Sequence, residues 1–150
     1  MIFVNSTSSI WKIPTESDIS TLTRNAAHQA YEAAGIGPDD LDLVELHDCF
    51  ATAELVHYDN LQLCEPGGAV DFFNSGAPWR EGRMPVNVSG GLESKGHPVA
   101  ATGLASIWEL CHHLRDEAGP RQIAGARVGL AHVIGLGSSC AVHILERAAA

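Results

Sequence analysis

The chain has 150 residues, of which 45% are hydrophobic and 18% charged, and a formal net charge of −9. That length suffices for one domain with its own core. The negative balance and the lack of a basic stripe exclude nucleic acid as a partner, because a polyanion would be repelled, and no apolar run approaches the ~20 residues that span a bilayer.

In chain order, Ile2 to about Ser9 reads as a first strand. Asp18 or Ser20 is placed to cap a helix through Ala34, with Ile19, Leu22, Ala26, Ala30 and Ala33 at helical spacing and Gly35 as its stop. Pro38-Asp39-Asp40 then turns the chain. Leu41–Leu46 reads as a buried strand that delivers His47 at its end. A helix is expected from Asp48, capped by Asp48 itself and carrying Phe50, Ala53, Leu55, Val56 and Leu61. The stretch from Gly67 to Arg83 reads as a long loop, and Pro85–Val88 as a short extended piece broken by Ser89-Gly90-Gly91. Pro98 fits the first turn of a helix running to about Asp116. Val128–His132 and Cys140–Leu145 read as antiparallel strands joined through Gly135-Leu136-Gly137-Ser138. The order predicts an α/β layered domain, a mixed five-stranded sheet with helices on both faces.

The four cysteines, Cys49, Cys64, Cys111 and Cys140, fit no zinc spacing and read as free thiols. No metal is expected: in Cys111-His112-His113, neighbouring helical side chains point apart. The His112-His113 pair is expected to face solvent. The N-terminus Met1-Ile2-Phe3-Val4-Asn5 lacks the charged start and apolar core of a signal peptide, so a cytoplasmic location is expected.

The chemistry concentrates in His47-Asp48-Cys49-Phe50 and, fifty positions after His47, Gly96-His97-Pro98. An imidazole N–H at a helix start favours an oxyanion or thiolate; a capping role for His97 is the alternative. Cys49, at a strand-to-helix junction, is placed to exchange protons, or else is a structural cysteine. His47 is a hydrogen-bond donor to a carbonyl, or a satisfied core histidine. Ser89, Gly90 and Gly91 allow close approach of a ligand to the backbone. Gly135 and Gly137 offer backbone N–H groups to an oxyanion, or form a plain hairpin turn.

Leu43-Val44-Glu45-Leu46-His47-Asp48-Cys49-Phe50 resembles the HDCF motif of thiolases of the sterol-carrier-protein-x (lipid-transfer protein) type. Ser89-Gly90-Gly91-Leu92-Glu93-Ser94-Lys95-Gly96-His97-Pro98 resembles that family's SGGxxSKGHP segment, and Ala101–Ala105 and Gly135-Leu136-Gly137 continue the likeness. The resemblance covers nearly the whole chain and implies the C-terminal half of a thiolase fold over residues 1–150. It implies Claisen-type C–C cleavage or formation on an acyl-CoA, a substrate and not a tightly bound cofactor. His97 would activate the nucleophile, His47 would complete the thioester oxyanion site and Cys49 would move the α-proton. The family's nucleophilic cysteine belongs to an N-terminal half that these residues do not include. A partner chain bearing that half, or a homo-oligomer, is therefore expected, and the isolated chain is expected to be inactive. A non-catalytic acyl-CoA or lipid-binding domain, or an inactive fragment, is the alternative. Two departures stand out: Ala100 replaces the usual glycine of GHPxGATG, and Val133 and Ser138 interrupt the family's HNxGxGG.

Overall fold

The structure is a computed structural model that describes residues 2–4, 21–135 and 139–148. Its strands are β1 (Ile2–Val4), β2 (Leu43–Glu45), β3 (Val128–Gly135) and β4 (Ser139–Glu146). Its α-helices are α1 (Leu22–Ala34), α2 (Ala51–Asn60), α3 (Ala69–Asn74), α4 (Gly91–Lys95) and α5 (Thr102–Leu114).

Among the described residues the sheet has four strands, in the order β1-β4-β3-β2. It is mixed, as expected: β4 is antiparallel to both β1 and β3, and β2 runs parallel to β3. The fifth expected strand, Pro85–Val88, shrinks to one bridge between Val86 and Val44. Its backbone makes two bonds to Val44, and then Asn87 turns away with a φ of 51°. An L-residue in that region ends extended pairing.

Helices cover both faces because alternate strand residues are apolar on both sides. Val44, Leu46, Leu130, Cys140 and Val142 face α1, whose Leu22, Ala26, Ala27 and Ala30 are small enough for close approach. Leu43 and Ala131 face Leu110 and Leu114 of α5. Thr21 caps α1, accepting from Arg24 N at 3.1 Å; Asp18 and Ser20 lie outside the described residues, as do residues 5–9 of the first expected strand. Gly35 ends α1 in the left-handed region at φ 69°, where glycine pays no Cβ penalty.

Four expectations change. The long loop contains α3, and the Ser89-Gly90-Gly91 break opens the short α4. The helix expected from Pro98 begins at Thr102, because Ala100 sits at φ 64° and interrupts the helical run. His113 is fully buried and not solvent-facing. Its Nδ1 accepts from Ile123 N at 3.1 Å, and its Nε2 lies 3.3 Å from Glu109, which Arg121 grips through two bonds. That pairing lets α5 carry a carboxylate and an imidazole into the interior.

Candidate active site

β2 delivers His47 at its C-terminal end. Leu46 N is taken by the Asn87 side chain at 2.9 Å and Asp48 N bonds back to Leu46 O, so pairing stops and the chain turns. His97 arrives from the other side, after α4. The two rings meet edge to face with centroids 4.8 Å apart and an interplanar angle of 82°. They stand in the wall of a cavity of about 460 Å³. Most of that wall is apolar, from Val99, Leu104 and Ile107 on the α5 side to Val133 and Ile134 on β3.

The hydrogen bonds assign the proton on His97. Thr102 Oγ1 donates to Pro98 O at 3.1 Å, so its hydrogen is committed. His97 Nδ1, 2.8 Å from the same oxygen, must then be the donor. In the neutral ring the lone pair is then on Nε2, the form a general base needs.

His47 is buried, and burial first, with the neighbouring His97 next, holds its pKa below the ordinary imidazole value despite the opposing pull of Asp48. It is therefore a neutral hydrogen-bonding group. Behind it lie two more buried imidazoles. His47 N donates to His132 Nδ1 at 3.4 Å, which leaves His132 Nε2 as the donor toward Thr23 Oγ1, also at 3.4 Å. His57 packs edge-on against His132 at 4.5 Å. Burial lowers the pKa of His57 to about 4 and that of His132 well below the ordinary value.

The remaining expected residues divide. Cys49 is half-buried two residues after His47 and is not part of the cavity wall. Asp48 does not cap α2, whose N-cap is Phe50 with no side-chain bond. It reaches across to α4 and accepts from Leu92 N at 2.7 Å. Ser89, Gly90 and Gly91 stand outside the cavity wall as well. Ser89 is bound to the buried Glu45 through its N at 3.0 Å and its Oγ at 2.5 Å. Gly91, at φ 63°, lies so close to Asp48 that a Cβ there would sit 1.9 Å from Oδ2. Gly135 lines the cavity, and Gly137 lies outside the described residues.

Sequence reasoning missed His57, His143 and the contact of His132 with His47. His143 lines the cavity from β4; its alternation with Val142 was the available signal. His57 sits on a helix of mixed character, and nothing local announces its burial. Among the described residues no group of three or more His, Cys, Asp or Glu side chains is arranged to hold a metal, and no helix is long and apolar enough to cross a membrane.

A mixed α/β sheet whose edge strand β2 leads into His47, with His97 set against it beside an apolar cavity, defines a site able to do acid–base chemistry. The particular family follows from the sequence: the thiolase C-terminal domain-like family matches residues 6–147, and the chain belongs to it. It is 49% identical over 121 residues to sterol carrier protein 2 of Rattus norvegicus, covering 81% of this chain and 22% of that protein. It is 44% identical over 126 residues to an acetyl-CoA acetyltransferase of Methanothermobacter thermautotrophicus, covering 83% and 33%. Over 117 residues it is 40% identical to the benzoylsuccinyl-CoA thiolase subunit BbsB of Thauera aromatica, covering 77% and 30%. The chain thus spans between a fifth and a third of these relatives. Among solved structures, the Ltp2-ChsH2(DUF35) aldolase superposes with a TM-score of 0.72 at 24% identity, over 87% of this chain and 34% of that one. That likeness is one of fold.

Proposed function

We propose that this chain is the C-terminal half of a thiolase-type enzyme that makes or breaks C–C bonds in acyl-CoA thioesters, completed by a chain carrying the N-terminal half and the nucleophilic cysteine. The observation that supports this reading is the 4.8 Å approach of His47 and His97 in the wall of an apolar cavity. Three features of the chain fit it. His97 Nε2 is free to take a thiol proton. The neutral His47 ring is suited to donate to a thioester oxygen without carrying charge. Val99 and Leu104 of the cavity wall, exposed by 92% and 70%, offer an apolar face for an N-terminal half.

In the cleavage direction the partner's thiol gives its proton to His97 Nε2 and its sulfur attacks the 3-keto carbon of the substrate. The C2–C3 bond breaks, the acyl group stays on sulfur, and the electron pair passes to the enolate of the shorter acyl-CoA. His47 steadies that enolate oxygen; Cys49, two residues on and outside the cavity wall that this chain forms by itself, would give its proton to the α-carbon only where the second half of the site brings the substrate against it. Free CoA then gives its thiol proton to the Cys49 thiolate and takes the acyl group from sulfur, and His97 returns its proton to the released thiolate. The two-component name of the structural neighbour and the subunit named among the relatives favour a partnered assembly over a homo-oligomer.

Co-expression with a chain bearing a thiolase N-terminal half tests this. The complex is expected to cleave a 3-ketoacyl-CoA, with His97→Asn lowering kcat at least a hundredfold, while the isolated chain is silent. A well-formed complex without turnover refutes the catalytic reading. The second reading, an acyl-CoA or lipid binder without chemistry, is favoured by the 37% identity to a non-specific lipid-transfer protein-like 2 of Caenorhabditis elegans. It predicts calorimetric binding of acyl-CoA that His97→Asn leaves unchanged.

A further inference from the structure

The two site histidines come from segments that share little backbone pairing. The strand-like contact with β2 stops at Asn87, ten residues before His97. What joins the segments beyond that point is side chains: Asp48 accepts from Leu92 N at 2.7 Å, and Glu45 holds Ser89 and Lys95. Glu45 is 1% exposed, on β2, two residues before His47. Its Oε1 accepts from Ser89 N at 3.0 Å; its Oε2 accepts from Ser89 Oγ at 2.5 Å and lies 3.3 Å from Lys95 Nζ. Lys95 also donates to Ser89 Oγ at 2.5 Å, and it stands two residues before His97. The Glu45–Lys95 pair therefore bridges the same gap as the His47–His97 pair, one step further from the cavity.

A buried carboxylate costs several kcal/mol unless it is paired and hydrogen-bonded. An apolar side chain at position 45 would fill the same space without that cost. The chain instead buries a charge and satisfies it entirely from the segment that delivers His97. Glu45 is absent from the cavity wall, so it does not touch a ligand held there. We propose that Glu45 is a positioning residue for the histidine pair: it clamps Ser89 and Lys95 to the end of β2 and thereby sets His97 edge-on against His47.

This deepens the site read above, yet its test needs no turnover, so a failure of the acyl-CoA reading would leave it standing. The full chain is compared by NMR with Glu45→Ala and Glu45→Gln. In the parent chain, ring protons of His47 and His97 should give a cross-peak, and those of His57 and His132, 4.5 Å apart in the core, should give another. Glu45→Ala is expected to lose the first and keep the second, and the His47 titration should move up toward the ordinary imidazole value as His97 departs. Glu45→Gln, which still accepts from Ser89 N, should restore the first cross-peak. If Glu45→Ala fails to fold, Ser89→Ala combined with Lys95→Ala removes the clamp from the half-buried side and should give the same selective loss. A folded clamp variant that keeps the His47–His97 cross-peak overturns the proposal, whatever its stability.

Discussion

Gly91→Ala isolates the contact that ties α4 to the strand end. At φ 63° an alanine pays about 1–2 kcal/mol for the left-handed backbone. Its Cβ would also lie 1.9 Å from Asp48 Oδ2 and 2.6 Å from Cγ. The carboxylate must move, and the 2.7 Å bond from Leu92 N goes with it. A hydrogen bond to a charged, buried group contributes about 1.5–3 kcal/mol. The two effects together predict a loss of about 2.5–5 kcal/mol, read as a lower urea midpoint with an unchanged m-value. The sources separate in a double-mutant cycle. In an Asp48→Ala background the clash and the bond are already gone, so Gly91→Ala should cost only the backbone contribution of about 1–2 kcal/mol. The remaining ~1.5–3 kcal/mol is the expected coupling. Additive effects, or a single-variant cost below about 1 kcal/mol, would refute the reasoning, because they would mean that the carboxylate does not press on this glycine.

Ala100→Gly should raise stability by about 1 kcal/mol, since Ala100 holds φ 64° where glycine is free to go; an unchanged or lower urea midpoint would contradict that. Acid should loosen the histidine core. Burial keeps His47, His57 and His132 below the ordinary value of 6.5, so the unfolded chain binds protons that the fold refuses. Stability is then greatest above pH 6.5 and falls as pH drops toward 4; His57 alone accounts for about 3 kcal/mol over that window. Urea midpoints taken from pH 7 to 4 should decline, and less steeply in His57→Gln. A flat profile would place these rings in contact with water.

The thiolase likeness was legible because it resides in contiguous residues. Leu43–Phe50 and Ser89–Pro98 carry their motif in order, and the alternation of β2, β3 and β4 announces a sheet covered on both faces. Asp48 shows where local reading fails. An aspartate ahead of a helix is a sound cap by spacing, but the bond it makes depends on which amide the fold brings near, and that amide belongs to Leu92, 44 positions on. His113 fails for the same reason, since its burial rests on a bond from Ile123 beyond the end of the helix.

The residue order by itself determined the kind of sheet, the helices that flank it, and which imidazoles and thiol were worth watching, because periodicity and motif are properties of neighbours along the chain. Only the tertiary structure decided that His47 faces His97, that His132 and His57 meet edge to face behind, and that Ser89 and Gly91 serve Glu45 and Asp48 outside the cavity. Those facts are distances between groups far apart in sequence, set by how the β2 end and the α4 turn pack, and no local pattern encodes them.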